Sequence, residues 1–458
     1  MKHSFDAIVV GAGQAGPSLA TRLAGAGRNV AMVERHLFGG TCVNTGCTPT
    51  KAMVASAHAA HLARRGADFG VHAGPVTVDL RAVKARKDTI VLNSRTGVEK
   101  WLRTTPNCTV FTGTAAFQSP TNLRVGDDLL EATQIFLNVG CRPTIPQMPG
   151  VDSVPFLTST TILDLEQLPE HLIVIGGGYV GLEFAQMFRR FGSQVTVVDR
   201  KSRLAPHEDE DASKVIREVF DSESVAIRLN ANCIHLEQRG SHVAVGVECT
   251  EGEPRVDGSH ILLAVGRIPN TGDLNLAAAG ITPDERGFIP VDDQLRTAVP
   301  GIFAIGDCNG RGAFTHTSYN DYEIVADNLL DHAARRVSDR IPAHALYIDP
   351  PLASIGMSEA EVRATGKPAL VGIRRMTRIA RAIEKGETYG FIKVLVDKAS
   401  ERILGATIFG TGGDEAVHCI LTAMYARQPY TLLTHSVHIH PTVAELIPTT
   451  LEDLKPLA

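Results

Sequence analysis

The stretch Ala7-Ile8-Val9-Val10-Gly11-Ala12-Gly13-Gln14-Ala15-Gly16 decides how the rest of the chain is read. Its apolar residues predict a short buried strand, and its three glycines are spaced for a tight turn into a helix. Gly11 permits the turn, Gly13 lets a pyrophosphate approach the backbone, and Gly16 lets helix and strand pack closely. The helix, running to about Gly25, turns its N-terminal N–H groups toward phosphate charge. A second strand, Val30-Ala31-Met32-Val33, ends on Glu34, where a carboxylate can accept hydrogen bonds from a ribose.

The arrangement recurs 165 residues later, at Leu172–Ile175, then Gly176-Gly177-Gly178-Tyr179-Val180-Gly181, then Val195–Val198 closing on Asp199. One such fingerprint is a weak signal; two in register, each set between strands and closed by an acid, are a strong one. One chain is therefore expected to hold two dinucleotides, and the natural pairing is a flavin with a nicotinamide. Asp199 suits the ribose diol of NAD and would repel a 2'-phosphate, whereas Arg200, Lys201 and Arg203 could bind one. The reading leans to NADH and leaves NADPH open.

At 458 residues the chain has room for about three domains of roughly 150 residues. The net charge of -5 and the 5% aromatic content argue against a nucleic-acid surface. No apolar run approaches the roughly 18 residues of a membrane span. Met1–Asp6 runs straight into the first strand without a cleavable signal pattern, so a cytoplasmic, membrane-free protein is expected. Of the eight cysteines, Cys108, Cys141, Cys233, Cys249, Cys308 and Cys419 are scattered singly and are expected to be lone buried thiols.

The other two lie together in Gly39-Gly40-Thr41-Cys42-Val43-Asn44-Thr45-Gly46-Cys47-Thr48-Pro49-Thr50-Lys51. Pro49 is tolerated in a first helical turn, which puts Cys47 near a helix N-terminus. The helix end and a nearby cation favour thiolate over thiol, as disulfide exchange requires. A metal site is the rival reading, but no second Cys/His pair at ligand spacing completes it, and His58 and His61 are expected to be solvated helix histidines. No metal is expected.

The cysteine segment resembles the signature of the class I pyridine nucleotide-disulfide oxidoreductases, and the resemblance covers essentially the whole chain. It implies FAD as the bound flavin and NADH or NADPH as electron donor. It implies that Cys47 faces the flavin while Cys42 exchanges with substrate. Lys51 and Glu183 resemble the family's ion pair beside the flavin, and Tyr179 its gate over the nicotinamide pocket. Ile302–Asp307 resembles the second FAD motif, with Gly306 at the turn and Asp307 on the ribityl chain. Gly140 and Gly266 belong to segments, Val139–Pro143 and Val265–Asn270, that resemble the family's domain-crossing turns. Cofactor contacts are accordingly expected from Gly11, Gly13, Gly16, Glu34, Gly40, Thr41, Lys51, Gly140, Gly306 and Asp307 for FAD. For NAD(P), they are expected from Gly176, Gly178, Tyr179, Gly181, Glu183, Asp199, Arg200 and Gly266.

The implied fold is α/β, with two Rossmann-like domains and a C-terminal α+β dimerisation domain. Its expected boundaries are 1–150 with 271–336 for FAD, 151–270 for NAD(P), and 337–458 for the interface. Ile341–Pro351 reads as a linker, and Ser358-Glu359-Ala360-Glu361 as a capping box. In His440-Pro441-Thr442-Val443-Ala444-Glu445 a histidine at a helix start, oriented by Glu445, suits proton exchange with Cys42. The family resemblance makes this a contribution to the other subunit of a homodimer. His435 and His438 read as surface residues.

The acceptor is the open question. The final residues, Leu451–Ala458, lack the second cysteine pair of the mercuric reductases, which turns the expectation away from dedicated Hg(II) reduction. Phe314–Tyr322, Pro350–Met357 and Ile379–Ala382 resemble the RclA-type, mercuric-reductase-like branch, implying a small disulfide, an oxidant or a metal ion. The alternatives are a dihydrolipoamide dehydrogenase of a multienzyme complex and a flavin-based redox sensor without turnover.

Overall fold

Strand β1 (Ala7–Val10) is buried at every position, and alternate residues enter different cores. Ala7 and Val9 join one core, Ile8 and Val10 the other. Burial on both faces is why the strand reads as an unbroken apolar run rather than an alternating one. The computed structural model describes residues 1–240, 242–248 and 252–457. After β1 come α1 (Gly16–Gly25), β2 (Val30–Glu34), α2 (Cys47–Arg64) and β3 (Gln134–Leu137). The parallel sheet runs Ile302–Ala304, β3, β1, β2, Cys108–Thr112. Helix α1 and the helix Thr315–Leu330 cover one face; a small sheet with Phe117 and Leu123 covers the other. The chain leaves β1 at the point where the strand order reverses, the usual place for a ligand crevice.

A second parallel sheet repeats the plan. Its centre is β4 (His171–Ile175), followed by α3 (Tyr179–Phe191) and β5 (Gln194–Val198), with Leu157–Thr158, His260–Leu263 and Ala226–Arg228 completing it. Leu172 and Val174 face one core, Ile173 and Ile175 another. Between the two units, Cys141–Pro143 and Arg267–Pro269 pair antiparallel, so both crossings pass at one place. The last unit is a six-stranded antiparallel sheet that begins with β6 (Ala343–Leu346) and β7 (Leu352–Gly356). Helix α4 (Gly413–Tyr425) packs across it through Val417, Ile420 and Ala423. The α/β fold class, with two Rossmann-like units and an α+β tail, is as expected.

Four local expectations are corrected. The segment read as a linker contains β6, an edge strand paired only to β7. Edge strands tolerate flanking prolines, so Pro342, Pro350 and Pro351 concealed it. His58 and His61 are half-buried rather than fully solvated, and His58 Nδ1 sits 2.8 Å from Asp349 Oδ2. Cys419 is exposed on α4, whereas Cys141 and Cys308 are buried and Cys108 is half-buried. Cys249 and the side chain of Cys233 lie outside the described residues. His440-Pro441 does not start a helix; the next one, α5 (Leu446–Glu452), begins behind Glu445, with Pro448 in its first turn. The hydroxyl of Thr442 caps the intervening turn by accepting from Glu445 N at 3.2 Å. The capping box at Ser358–Glu361 is present, with Ser358 Oγ accepting from Glu361 N. Among the described residues no helix is long and apolar enough to cross a membrane.

Candidate active site

Helix α2 carries the chemistry and is fixed from two directions. Met53 and Ala57 on its inner face pack in one core with Leu182 and Phe188 of α3 and with Leu346 and Leu352 of the last sheet. At its start Cys47 follows Gly46, and Cys42 lies in the short helix Gly40–Asn44. Both thiols are free. The Cys47 sulfur faces a cavity of about 1080 Å³ that also reaches Gly11, Glu34, Asp307 and Tyr179.

Neighbouring groups favour one thiolate of the pair. A hydrogen bond from Cys42 is the strongest influence bringing Cys47 down to about 6; burial opposes it, while the Thr315 hydroxyl and the Lys51 charge assist. The Thr315 oxygen lies 3.3 Å from the Cys47 sulfur. Cys42 moves up, first through that same shared hydrogen bond and then through burial. The pair therefore gives up its first proton with the charge resting on Cys47. Lys51, one turn along α2, places Nζ 2.8 and 2.9 Å from the two oxygens of buried Glu183. The same ammonium lies 4.7 Å from the centre of the Tyr347 ring, and Tyr347 N donates to Glu183 at 3.0 Å.

Both glycine loops have the form of dinucleotide cradles. A Cβ on Gly11 would lie 2.3 Å from Asn138 O, and one on Gly16 2.1 Å from Gly11 O. Side chains there would push the loop off the sheet. Gly176 and Gly181 repeat these approaches against Ala264 O and Gly176 O, while Gly178 faces open space. The acids repeat as well. Glu34 accepts from Ala12 N at 2.7 Å and His36 N at 2.8 Å; Asp199 accepts from Gly177 N at 2.5 Å and Lys201 N at 2.8 Å. Each acid thus draws its glycine loop onto the end of the following strand, keeping lone pairs for a ribose. The residues present fit FAD at the first loop and a nicotinamide dinucleotide at the second.

The cavity gathers Gly11, Gly13, Glu34, Gly40, Thr41, Cys42, Cys47, Lys51, Gly140, Tyr179, Glu183 and Asp307. Burial raises the carboxyl of Asp307, and the Ser318 hydroxyl lies 3.4 Å from it. Gly16 and Gly306 support the cavity without lining it, and Gly176, Gly178, Gly181, Asp199, Arg200 and Gly266 lie outside it. His440 and Glu445 also lie outside; they pair with each other at 2.9 Å, with His440 largely exposed.

Several residues in and behind the cavity wall escaped sequence reasoning. Thr315 and Tyr347 approach Cys47 and Lys51 from segments about 270 and 300 residues away in the chain. Asp321 is buried and accepts from Gly306 N at 2.8 Å and Asn309 Nδ2 at 2.9 Å, pinning the turn that carries Asp307. Arg267 reaches across to the Thr41 hydroxyl at 3.3 Å. Arg267 stood in one of the domain-crossing segments, Thr315 and Asp321 in Phe314–Tyr322, and Tyr347 in the stretch read as a linker, but none was singled out for a role.

Two family models match the chain: pyridine nucleotide-disulphide oxidoreductase over residues 5–321, and the dimerisation domain of the same enzymes over residues 342–451. The "Probable pyridine nucleotide-disulfide oxidoreductase RclA" of Escherichia coli strain K12 is 36% identical, over 97% of this chain and 98% of that protein. The structure titled as the Cu(II) complex of HOCl-induced flavoprotein disulfide reductase RclA from Escherichia coli superposes with a TM-score of 0.90 at 33% identity. That match covers 98% of this chain and 99% of the other. A mercuric reductase of Streptomyces lividans is 33% identical, covering 97% of this chain and 94% of the relative. A dihydrolipoyl dehydrogenase of Chlamydia muridarum is 32% identical, covering 97% and 96%.

Proposed function

The chain belongs to the pyridine nucleotide-disulphide oxidoreductases, and on that premise we propose that Cys42 and Cys47 are the redox pair through which it reduces a small disulfide, an oxidant or a metal ion. It is an oxidoreductase that uses FAD and NAD(P)H. FAD, when bound, supplies the two-electron relay between the nicotinamide and the cysteines. Gly11, Gly13, Gly16, Glu34, Gly40, Thr41, Lys51, Gly140, Gly306 and Asp307 would hold it. Gly176, Gly178, Tyr179, Gly181, Glu183, Asp199, Arg200 and Gly266 would serve the nicotinamide nucleotide, in the segment 151–270 set between the two pieces of the FAD domain, 1–150 and 271–336. Residues 337–458 would form the interface domain.

One observation carries the assignment. The low-pKa thiol Cys47 shares a cavity with the Gly11 cradle and the Lys51–Glu183 pair. Cys47 keeps the thiolate on the flavin side, and Lys51, held by Glu183, supplies the positive charge beside it. Cys42 is the exchanging sulfur. With a disulfide acceptor, Cys42 attacks one sulfur and forms a mixed disulfide, and the departing thiolate takes a proton. Cys47 then attacks Cys42, releases the second thiolate and closes the Cys42–Cys47 disulfide.

The proton is managed by His440. Glu445 accepts from Nδ1, which leaves the exposed Nε2 as the basic nitrogen. Because His440 does not line its own cavity, it acts on Cys42 of a second copy. The fully exposed Val437 and the largely exposed Ile439 beside it are the apolar surface such a homodimer would cover. The dimerisation-domain match supports that assembly.

Anaerobic titration with NADH and NADPH tests the assignment through the long-wavelength thiolate–flavin absorbance. The band should appear on two-electron reduction and be missing in Cys47→Ser; a band that survives the substitution overturns the role of Cys47. Acceptors are then ranked among lipoamide, glutathione disulfide, Cu(II), Hg(II) and quinones. The likeness to a dihydrolipoyl dehydrogenase keeps a second reading in view, and rapid NADH-linked lipoamide turnover would favour it.

A further inference from the structure

Glu208 has no part in the redox relay, yet its carboxylate is 4% exposed and faces three donors. Tyr179 Oη donates to Oε1, as does His344 Nε2 at 2.8 Å, and Ser354 Oγ donates to Oε2 at 2.9 Å. The donors come from α3, β6 and β7, so the nucleotide-side unit and the last sheet meet on a single charge. A buried carboxylate with its lone pairs satisfied in this way is costly to disturb.

The ring of Tyr179 is held from the side as well. His344 stands 5.7 Å from it, centre to centre. Phe314 lies parallel to His344 at 6.0 Å, and His316 parallel to Phe314 at 5.4 Å. His316 Nε2 in turn donates to Ala343 O at 2.7 Å, on the strand that carries His344. The four rings form a ladder along the cavity wall, and Tyr179 is its end member.

We propose that Glu208 and His344 latch Tyr179 in place, and that this latch sets how readily the nicotinamide nucleotide enters its site. The inference rests on the reading of Tyr179 as the gate over that site and names the groups that control it. Both are positioning residues. Swinging the ring aside breaks a hydrogen bond to a buried charge, whose loss shifts an equilibrium by roughly tenfold or more. The apparent affinity of the nucleotide is lowered by the fraction of molecules that remain latched.

The test is binding of oxidised nucleotide, NAD⁺ or NADP⁺, whichever the wild type prefers, to the oxidised FAD-loaded enzyme. Calorimetry gives the Kd and stopped-flow mixing the association rate. Glu208→Gln keeps the shape and removes the charge; it should tighten binding about five- to tenfold and speed association. Tyr179→Phe keeps the ring and removes the donor, leaving Glu208 itself in place should the glutamine variant fold poorly. It should do the same, and the double variant should bind no tighter than either single one. Equal Kd values for wild type, Glu208→Gln and Tyr179→Phe would overturn the latch, as would full additivity in the double variant. Tyr179→Ala separates the two levels. A changed Kd there, with none in the other variants, leaves the gate standing without its latch, and an unchanged Kd removes the gate as well.

Discussion

Cys47 owes its reactivity to its neighbours, and each neighbour can be removed singly. In two-electron-reduced, FAD-loaded enzyme the long-wavelength thiolate–flavin absorbance should titrate with a midpoint near pH 6 and fade below it as the thiolate is protonated. Thr315→Val should move that midpoint up toward an ordinary cysteine, and Thr315→Ser should restore it, because the hydroxyl 3.3 Å away stabilises the charge. His440→Gln should cost about a hundredfold in turnover with a disulfide acceptor while leaving reduction of the enzyme by nicotinamide unchanged. Glu445→Gln should give a smaller loss of the same kind, since it disturbs only the orientation of the imidazole; rapid-reaction traces separate the two half-reactions. The pair and Lys51 were legible because their spacing lies within 10 residues of chain. Thr315 was not: nothing local to it announces a sulfur 268 positions away.

At the scale of elements, two helices matter most. Helix α1 can approach β1 only because Gly16 has no Cβ, so Gly16→Ala should yield protein with little bound FAD, read from the absorbance of the purified enzyme. Gly181→Ala should instead spare FAD and weaken the nicotinamide nucleotide. Helix α2 is held at its far end by a buried network in which Arg190 bonds Asp349 at 2.6 Å and Glu223 at 2.7 Å, and His58 bonds Asp349 at 2.8 Å. The bond to Asp349 raises the imidazole of His58 above its usual range. A folded pKa above the unfolded one contributes stability that is complete below the unfolded value and is lost as pH rises through the folded one. His58→Gln should therefore lower the melting temperature at pH 5 and lose that effect toward alkaline pH. Asp349 is depressed, with His58 and Arg190 holding the carboxylate against burial, so its contribution is present at neutrality and lost in acid. Asp349→Asn should cost about 2 kcal/mol at pH 7 in chemical denaturation, because it removes one of the two carboxylates that Arg190 holds in the interior and leaves it with Glu223 alone. Nothing in the alanine-rich run of α2 gave a sign of this network, and the edge strand β6 was hidden by its prolines.

For the whole molecule, the decisive relation is between two copies. His440 lies outside its own cavity, so inactive Cys42→Ser and His440→Gln enzymes should complement when their subunits are mixed. Random reassortment gives half mixed dimers, each with one intact site, and activity should recover to roughly a quarter of wild type. No recovery would place His440 in the same chain as the cysteine it serves. The sequence by itself determined the two nucleotide units, the closely spaced cysteine pair and the α/β class. Each of these is written in short-range spacing: glycines within one turn, an acid at the end of the next strand, two thiols five residues apart. Only the tertiary structure decided which groups share the Cys47 thiolate and which residues grip Tyr179. Thr315 lies 268 positions from Cys47, and His344 reaches Tyr179 from another unit of the fold, so these contacts are set by how three packed units meet rather than by any local pattern.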